Sequence, residues 1–178
     1  DSIEIRVDAN GAFSPSEALE KLKQLSAYSV HSIEQPIHQG QLDFMEELCE
    51  LSPVPVALDE ELIGLTTTQA REELLKRVKP AYLIFKPSLV GGMDVCDHWI
   101  ELCNSHGVGW WITSALESNI GLNAIAQYTY TLNSPMPQGL GTGGLFTNNV
   151  DSPLYVKQGA LGYDPELNWG DTSVLFRE

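Results

Sequence analysis

The sequence is poor in basic residues and has no long apolar run. Its 178 residues include 10 Lys and Arg against 24 Asp and Glu, which gives a formal net charge of −14 at pH 7. This charge argues against nucleic acid and against an anionic membrane surface as partners. No stretch approaches the roughly 18 consecutive apolar residues that are typical of a membrane span. Hydrophobic residues still make up 43% of the chain, which predicts one globular domain with a hydrophobic core.

Cysteine is also scarce, since the chain contains only Cys49, Cys96 and Cys103. An odd number of cysteines without close pairs is typical of a reducing compartment, so we expect a cytoplasmic protein without a disulfide framework. Cys96 and Cys103 lie about two helical turns apart and therefore share one face of a predicted helix. We expect them there as buried, unreactive core residues.

Strand-like and helix-like segments alternate along the chain about six times. The predicted strands lie within residues 3–8, 30–36, 54–61, 81–87, 108–118 and 138–146. The predicted helices lie within residues 14–25, 42–51, 66–78, 93–107 and 119–132. This alternation predicts a parallel sheet whose strands are connected by helical crossovers.

Residue types at helix ends support these boundaries. Ser14, Pro15 and Glu17 form a helix-start pattern, in which Ser14 is the N-cap and Glu17 completes a capping box. Gly107 is a typical residue just after the last helical turn.

Polar residues recur where the predicted strands end, at intervals of one βα unit, or roughly 25 residues. They are Asp8, Glu34, Asp59, Lys86 and Ser114. In a parallel barrel all strand C-termini open at one face, so the side chains should converge on one mouth. In an open doubly wound sheet they would line one edge instead.

Three carboxylates on successive strand ends repel one another unless a cation lies between them. Mg²⁺ takes oxygen ligands in octahedral geometry and keeps positions open for water or substrate, so Asp8, Glu34 and Asp59 indicate a magnesium site. Alternatively, strand-end acids cap the next helix or are merely solvated. Lys86 beside such a site could move a proton or stabilise negative charge. Alternatively, Lys86 is an ordinary strand-end lysine whose side chain extends to solvent.

Five motifs in this order resemble the enolase superfamily and, within it, the muconate-lactonising subgroup and its o-succinylbenzoate synthase family. They are RVDANGAF, SIEQP, ALDEE, FKPSLVGG and SALESNIG, and the resemblance covers roughly residues 3–146. It implies a (β/α) TIM-type barrel, here incomplete. About six parallel strands with outer helices would be present, without the N-terminal capping domain and the first strands.

The resemblance also implies roles for single residues. Asp8, Glu34 and Asp59 would bind Mg²⁺, for which Mn²⁺ could substitute, and Lys86 would face the reacting carbon of the substrate. The implied substrate-binding residues are Asn10, Ser114, Gly141 and Thr142.

The reaction implied is a Mg²⁺-dependent dehydration of a small carboxylate in menaquinone biosynthesis. A proton α to the carboxylate is removed, the metal stabilises the enediolate, and water is then lost. A second lysine from an earlier strand would be the base, while Lys86 stabilises the intermediate from the opposite face. N-succinylamino acid racemisation and other muconate-cycloisomerase-like reactions remain alternatives, as does a non-catalytic half-barrel that only binds.

The sequence also indicates a piece of a larger protein. It starts without Met or a signal-peptide pattern, and a barrel needs eight strands where six are predicted. The family's K-x-K motif is absent from the strand ends, because KLK at 21–23 falls on the first predicted helix. We expect residues 1–146 to be the C-terminal part of the barrel. Residues 147–178 should form a tail that packs towards the capping domain and is loosely packed or disordered without it. Alone, the chain should be catalytically silent, and its exposed strand edges favour oligomerisation.

Overall fold

Five short strands pair in chain order to form one sheet in the computed structural model, which describes residues 3–173. The strands are β1 (Arg6–Asp8), β2 (Ser32–Glu34), β3 (Val56–Leu58), β4 (Tyr82–Phe85) and β5 (Gly109–Ile112). The pairs β1–β2, β2–β3 and β3–β4 are parallel. The helices are α1 (Pro15–Leu25), α2 (Leu42–Leu51), α3 (Thr68–Val78), α4 (Pro87–Val90), α5 (Met93–His106) and α6 (Asn119–Thr131). The predicted alternation of strands and helices is thus confirmed over its first five units.

Side-chain caps and a glycine explain where several helices begin and end. The Ser14 backbone N–H donates to the Glu17 carboxylate over 3.1 Å at the start of α1, as in a capping box. At the start of α3, the Thr67 hydroxyl accepts a hydrogen bond from the Ala70 N–H at 3.2 Å. Gly107 ends α5 in the left-handed conformation, with φ of 69°, which glycine adopts without strain.

The described chain divides into two compact units. The first comprises the chain up to Phe85 together with Leu89–Trp110, and the second comprises Lys86–Ser88 and the chain from Trp111 onwards. The core of the first unit lies between the strands and the inner faces of the helices. Its fully buried side chains include Leu22, Ile33, Met45, Leu58, Leu75, Leu83, Phe85, Cys96 and Trp99.

The cysteines are free, and two of them lie in this core. Cys96 and Cys103 are both completely buried on α5, as their spacing predicts. Burial raises the pKa of each thiol to about 12. Their burial confirms the expectation of core residues, and the raised pKa keeps the thiols protonated at neutral pH.

The predicted sixth strand, residues 138–146, is reduced to a single bridge in the second unit. Gly139 pairs in parallel with Thr113, and its N–H donates to the Ile112 carbonyl at 2.8 Å. A one-turn 3₁₀ helix, Gly143–Leu145, follows. Glycines offer no side chains to pack against a neighbouring strand, so the ladder does not extend beyond the bridge.

The C-terminal tail contains a hairpin that was not predicted from the sequence. Strands β6 (Leu154–Lys157) and β7 (Ala160–Tyr163) form an antiparallel hairpin. The two turn residues, Gln158 and Gly159, have φ of 53° and 77°, which is the requirement of a type I′ turn. Most residues of the hairpin are exposed, so the expectation of loose packing stays a prediction. Residues 174–178 of the predicted tail lie outside the described residues.

Membrane insertion through a helix is not supported within residues 3–173, because no helix there combines the length and the apolar character that a span requires.

Candidate active site

The sheet register places two of the predicted metal ligands, Asp8 and Glu34, on one face of the first unit. Asp8 and Glu34 are direct partners across β1 and β2, so their side chains leave the sheet on the same side. Glu34 in turn pairs with Ala57 across β2 and β3. Asp59 is two residues beyond Ala57, and side chains alternate along a strand, so strand periodicity assigns it to the same face.

Backbone hydrogen bonds join the loops that follow these strands. The Ala9 N–H donates to the Glu34 carbonyl at 3.0 Å, and the Gly11 N–H donates to the Gln35 carbonyl at 2.7 Å. The Gln35 N–H continues the series by donating to the Ala57 carbonyl at 2.9 Å. The edge that carries the acids is therefore held together beyond the regular strands.

The Asp8 carboxylate is exposed and bound by its own loop. Its Oδ1 accepts the Asn10 backbone N–H at 2.7 Å, and its Oδ2 accepts the Asn10 side-chain amide at 2.8 Å. Asn10 adopts φ of 46°, a left-handed conformation that asparagine tolerates better than most residues. Asn10 thus orients Asp8 in this structure, and its predicted contact with substrate stays a prediction.

The other two acids are less exposed. Glu34 is half-buried, whereas Asp59 is only 2% exposed. The backbone at Asp59, with φ of −125° and ψ of −78°, leaves the strand and enters a one-turn 3₁₀ helix, Glu60–Leu62. The Asp59 N–H donates to the Gln35 side-chain oxygen at 3.2 Å, a contact that the sequence analysis did not anticipate.

The donor set suits Mg²⁺ in chemistry and in register, because it consists of carboxylate oxygens on neighbouring ends of parallel strands. Within residues 3–173, however, no three His, Cys, Asp or Glu side chains form a group that could hold a metal ion. Both Asp8 oxygens are instead engaged by Asn10. The convergence of Asp8, Glu34 and Asp59 on one ion therefore stays a prediction.

Lys86 directly follows β4, as Asp59 directly follows β3, and its side chain is half-buried. Pro87 begins the short helix α4 and is buried. The predicted end of the strand at Lys86 and Pro87 is thus confirmed. The catalytic role of Lys86 stays a prediction.

The second unit brings together two residues that were predicted to bind substrate. The Ser114 and Thr142 hydroxyls lie 2.8 Å apart, and the Ser114 oxygen also accepts the Leu116 N–H at 2.9 Å. Ser114 is only 4% exposed. Gly141 lines a cavity of about 330 Å³ together with residues of α6 and of the β6–β7 hairpin, such as Leu154.

Glu117, within the SALESNIG motif, lies beside Ser114 and was given no role from the sequence. Its carboxylate accepts a hydrogen bond from the Ser88 hydroxyl at 2.5 Å. Burial acts to raise the pKa of Glu117, but hydrogen bonds from Ser88, from the backbone at Ala115 and Glu117, and from Ser114 outweigh it and lower the pKa. Glu117 is therefore a fixed negative charge next to Ser114. The sequence offered one signal for this residue, its position within the SALESNIG motif.

The fold and these residues agree with a family assignment. The family model described as "Enolase C-terminal domain-like" matches residues 1–162, so the chain belongs to this family. The five-stranded sheet with its helices is the C-terminal portion of that TIM-barrel-like fold, which confirms the predicted fold class.

Individual relatives show which proteins of this family the chain resembles. The chain is 58% identical over 160 residues to an o-succinylbenzoate synthase of Desulfotalea psychrophila, covering 90% of this chain and 43% of that protein. The crystal structure of MenC from the same organism matches with a TM-score of 0.87 at 57% identity, covering 90% of this chain and 45% of that one. An N-succinylamino acid racemase of Amycolatopsis is 24% identical over 162 residues, covering 90% of this chain and 43% of that protein. The predicted resemblance is confirmed, and the chain spans less than half the length of these relatives.

Proposed function

We propose that this chain supplies the metal-binding strand ends and one catalytic lysine of an o-succinylbenzoate synthase, a lyase that removes water from a small carboxylate substrate. The observation that carries the proposal is the 58% identity to the Desulfotalea psychrophila enzyme across 90% of the chain. Because the chain spans 43% of that enzyme, turnover is proposed for the complete protein that carries these residues.

The proposed metal ligands are Asp8, Glu34 and Asp59, and the ion is Mg²⁺, with Mn²⁺ as a substitute. The bound ion would supply electrostatic stabilisation of negative charge on the substrate carboxylate. The parallel pairing of Asp8 with Glu34 supports this assignment, because it orders two of the three acids before any ion binds.

Lys86 is proposed to stabilise the negative charge that forms when the proton α to the substrate carboxylate is removed. A charged group already in place avoids the reorganisation that water would need during the reaction. Asn10, Ser114, Gly141 and Thr142 are proposed to bind the substrate. The hydrogen bond between the Ser114 and Thr142 hydroxyls supports two of these assignments, because it fixes both oxygens.

The base that removes the proton is proposed to lie outside this chain. KLK at 21–23 is part of α1 and does not follow a strand, so no K-x-K motif here occupies a strand end. We further propose that the complete protein acts in the cytoplasm in menaquinone biosynthesis, without nucleic acid or a membrane as partner. The charge of −14 on the 178 residues of this chain agrees with the absence of such partners.

Racemisation of N-succinylamino acids is the second candidate, and similarity to the Amycolatopsis racemase supports it. The same proton abstraction begins both reactions, so the assay must separate them by product. We would incubate the complete protein with Mg²⁺ and follow dehydration by the absorbance of the aromatic product. Loss of optical rotation of an N-succinylamino acid would be measured in parallel.

Dehydration that a chelator abolishes and Mg²⁺ restores would support the proposal. Racemisation without dehydration would favour the second candidate. Absence of both reactions would support the non-catalytic binding module that the sequence analysis left open.

A further inference from the structure

Gln35 links the segments at the ends of β1, β2 and β3, where the three acids lie. It directly follows Glu34 and is completely buried, with φ of 35°, an uncommon backbone conformation for a residue other than glycine. Its carbonyl accepts the Gly11 N–H at 2.7 Å, from the loop after β1, and its own N–H donates to the Ala57 carbonyl at 2.9 Å, in β3. A buried polar residue in a strained conformation persists only when its surroundings hold it there.

The side chain of Gln35 uses its whole hydrogen-bonding capacity at the end of β3. Its Oε1 accepts the backbone N–H groups of Asp59 at 3.2 Å and of Glu61 at 3.4 Å. Its Nε2 donates to the Ile37 carbonyl at 3.1 Å and to the Glu61 carboxylate at 3.3 Å. An amide has two acceptor sites and two donor hydrogens, so all four are used.

Glu61 completes this cluster. It is only 8% exposed, and its Oε1 accepts the Gly40 N–H at 2.9 Å while its Oε2 accepts from Gln35. The carboxylate therefore joins the loop after β2 to the 3₁₀ helix after β3. Gln35 and Glu61 act as one connection between these two loops.

Asp59 needs this connection more than the other two acids do. Asp8 and Glu34 are strand residues with direct partners in the ladder. Asp59 lies just beyond the last residue of β3, Leu58, so the ladder does not fix its backbone. Its carbonyl accepts the Leu62 N–H at 2.9 Å within the 3₁₀ helix, and its N–H donates to Gln35, which ties this backbone to the loop after β2.

We propose that Gln35 is a positioning residue that sets the Asp59 carboxylate relative to Glu34, so that both can bind one divalent cation. This inference rests on the metal site proposed above. Groups that orient ligands from behind typically change metal affinity by about 10- to 100-fold when they are removed. A purely structural role would instead lower stability and leave metal affinity alone.

The test measures affinity and stability separately in the complete protein. Gln35→Met removes the amide at similar length, and Thr129→Val removes a different buried hydrogen bond, from the Thr129 hydroxyl to the Ile125 carbonyl. Titration calorimetry with Mn²⁺ gives the dissociation constant, and urea unfolding without metal gives stability. We expect Gln35→Met to raise the dissociation constant about 10- to 100-fold and Thr129→Val to leave it unchanged.

A rescue experiment covers the case in which Gln35→Met does not fold. Gln35→Glu places a second carboxylate against Glu61 and should weaken Mn²⁺ binding. Adding Glu61→Gln returns a donor to the pair, so the double variant should regain about tenfold or more in affinity.

Two results would overturn the inference while leaving the metal site intact. They are a dissociation constant for Gln35→Met within about twofold of the unmodified protein, or no recovery in the double variant. If the unmodified protein itself fails to bind Mn²⁺, the proposed metal site is wrong, and the role of Gln35 is rejected with it.

Discussion

Replacing Gly11 by alanine should damage the loop that holds Asp8, and a matched glycine shows by how much. Gly11 has φ of 69°. A Cβ there would lie 2.9 Å from the His38 Cα and 3.1 Å from the His38 backbone nitrogen. Gly107 has the same φ of 69°, but a Cβ there meets nothing within 4 Å. Gly107→Ala therefore reports the conformational cost alone, and Gly11→Ala adds a collision with backbone that cannot rotate away.

The two variants should differ by a measurable free energy. A left-handed conformation costs an L-residue about 1–2 kcal/mol, so Gly107→Ala should lower the free energy of unfolding by about that amount. Overpacking typically adds about 1–3 kcal/mol, so Gly11→Ala should lose roughly 2–5 kcal/mol in total. Urea unfolding of the complete protein would measure both values.

Gly11→Ala should also weaken Mg²⁺ binding. Backbone movement away from His38 would strain the 2.7 Å hydrogen bond from the Gly11 N–H to the Gln35 carbonyl, and Gln35 directly follows Glu34. Gly107 closes α5 and makes no such contact with the acids, so its variant should bind Mg²⁺ normally. Equal losses of stability in the two variants would refute the close approach to His38. Unchanged Mg²⁺ affinity in Gly11→Ala would refute the coupling of this loop to the proposed ligands.

Three further outcomes are expected. Lys86→Ala in the complete protein should cut turnover about 10²–10⁴-fold with the fold retained, whereas Lys23→Ala, an exposed lysine of α1, should be near-native in a dehydration assay. Near-native turnover of the Lys86 variant would remove this lysine from the mechanism. Thr67→Ala removes the N-cap of α3 and should cost about 1 kcal/mol in urea unfolding, so an unchanged midpoint would contradict the cap. Because burial raises the pKa of Cys96 and Cys103 to about 12 from 9.0, unfolding releases protons above pH 9. Stability should then fall as pH rises from 9 towards 12, and replacing both thiols by alanine should reduce that slope.

The sequence predicted the regular elements because their signals are local. Helices α2 and α5 begin and end within one residue of the predicted segments 42–51 and 93–107. The strand predicted at 138–146 forms only one bridge, because a glycine-rich segment has few side chains that could extend the ladder. The β6–β7 hairpin was overlooked because its turn, Gln158-Gly159, lacks the Asn-Gly or Asp-Gly dipeptide that marks a type I′ turn most strongly.

The positions of the acids could also be predicted, because a parallel sheet brings the ends of successive strands together. The pairing of Asp8 with Glu34 required only that β1 and β2 be neighbours in the expected register. The contacts around the acids could not be predicted in this way. Gln35 and Glu61 lie in separate loops, and their hydrogen bond depends on where β2 and β3 end in space. The glutamine next to Glu34 in the SIEQP motif was visible, but nothing in the sequence indicated which carboxylate it would face.

The acids are held by two kinds of contact, strand pairing and side-chain hydrogen bonds, and these should differ in how well they tolerate substitutions. The sheet register fixes Asp8 and Glu34 through backbone hydrogen bonds, which survive most substitutions of neighbouring side chains. Beyond the ladder, the Asp59 N–H is held by one side-chain oxygen, so a single substitution at Gln35 can release that N–H. Since buried donors left without an acceptor are costly, that release would affect the Asp59 and Glu61 N–H groups together. The end of β3 is therefore where loss of metal affinity should be separable from loss of the sheet.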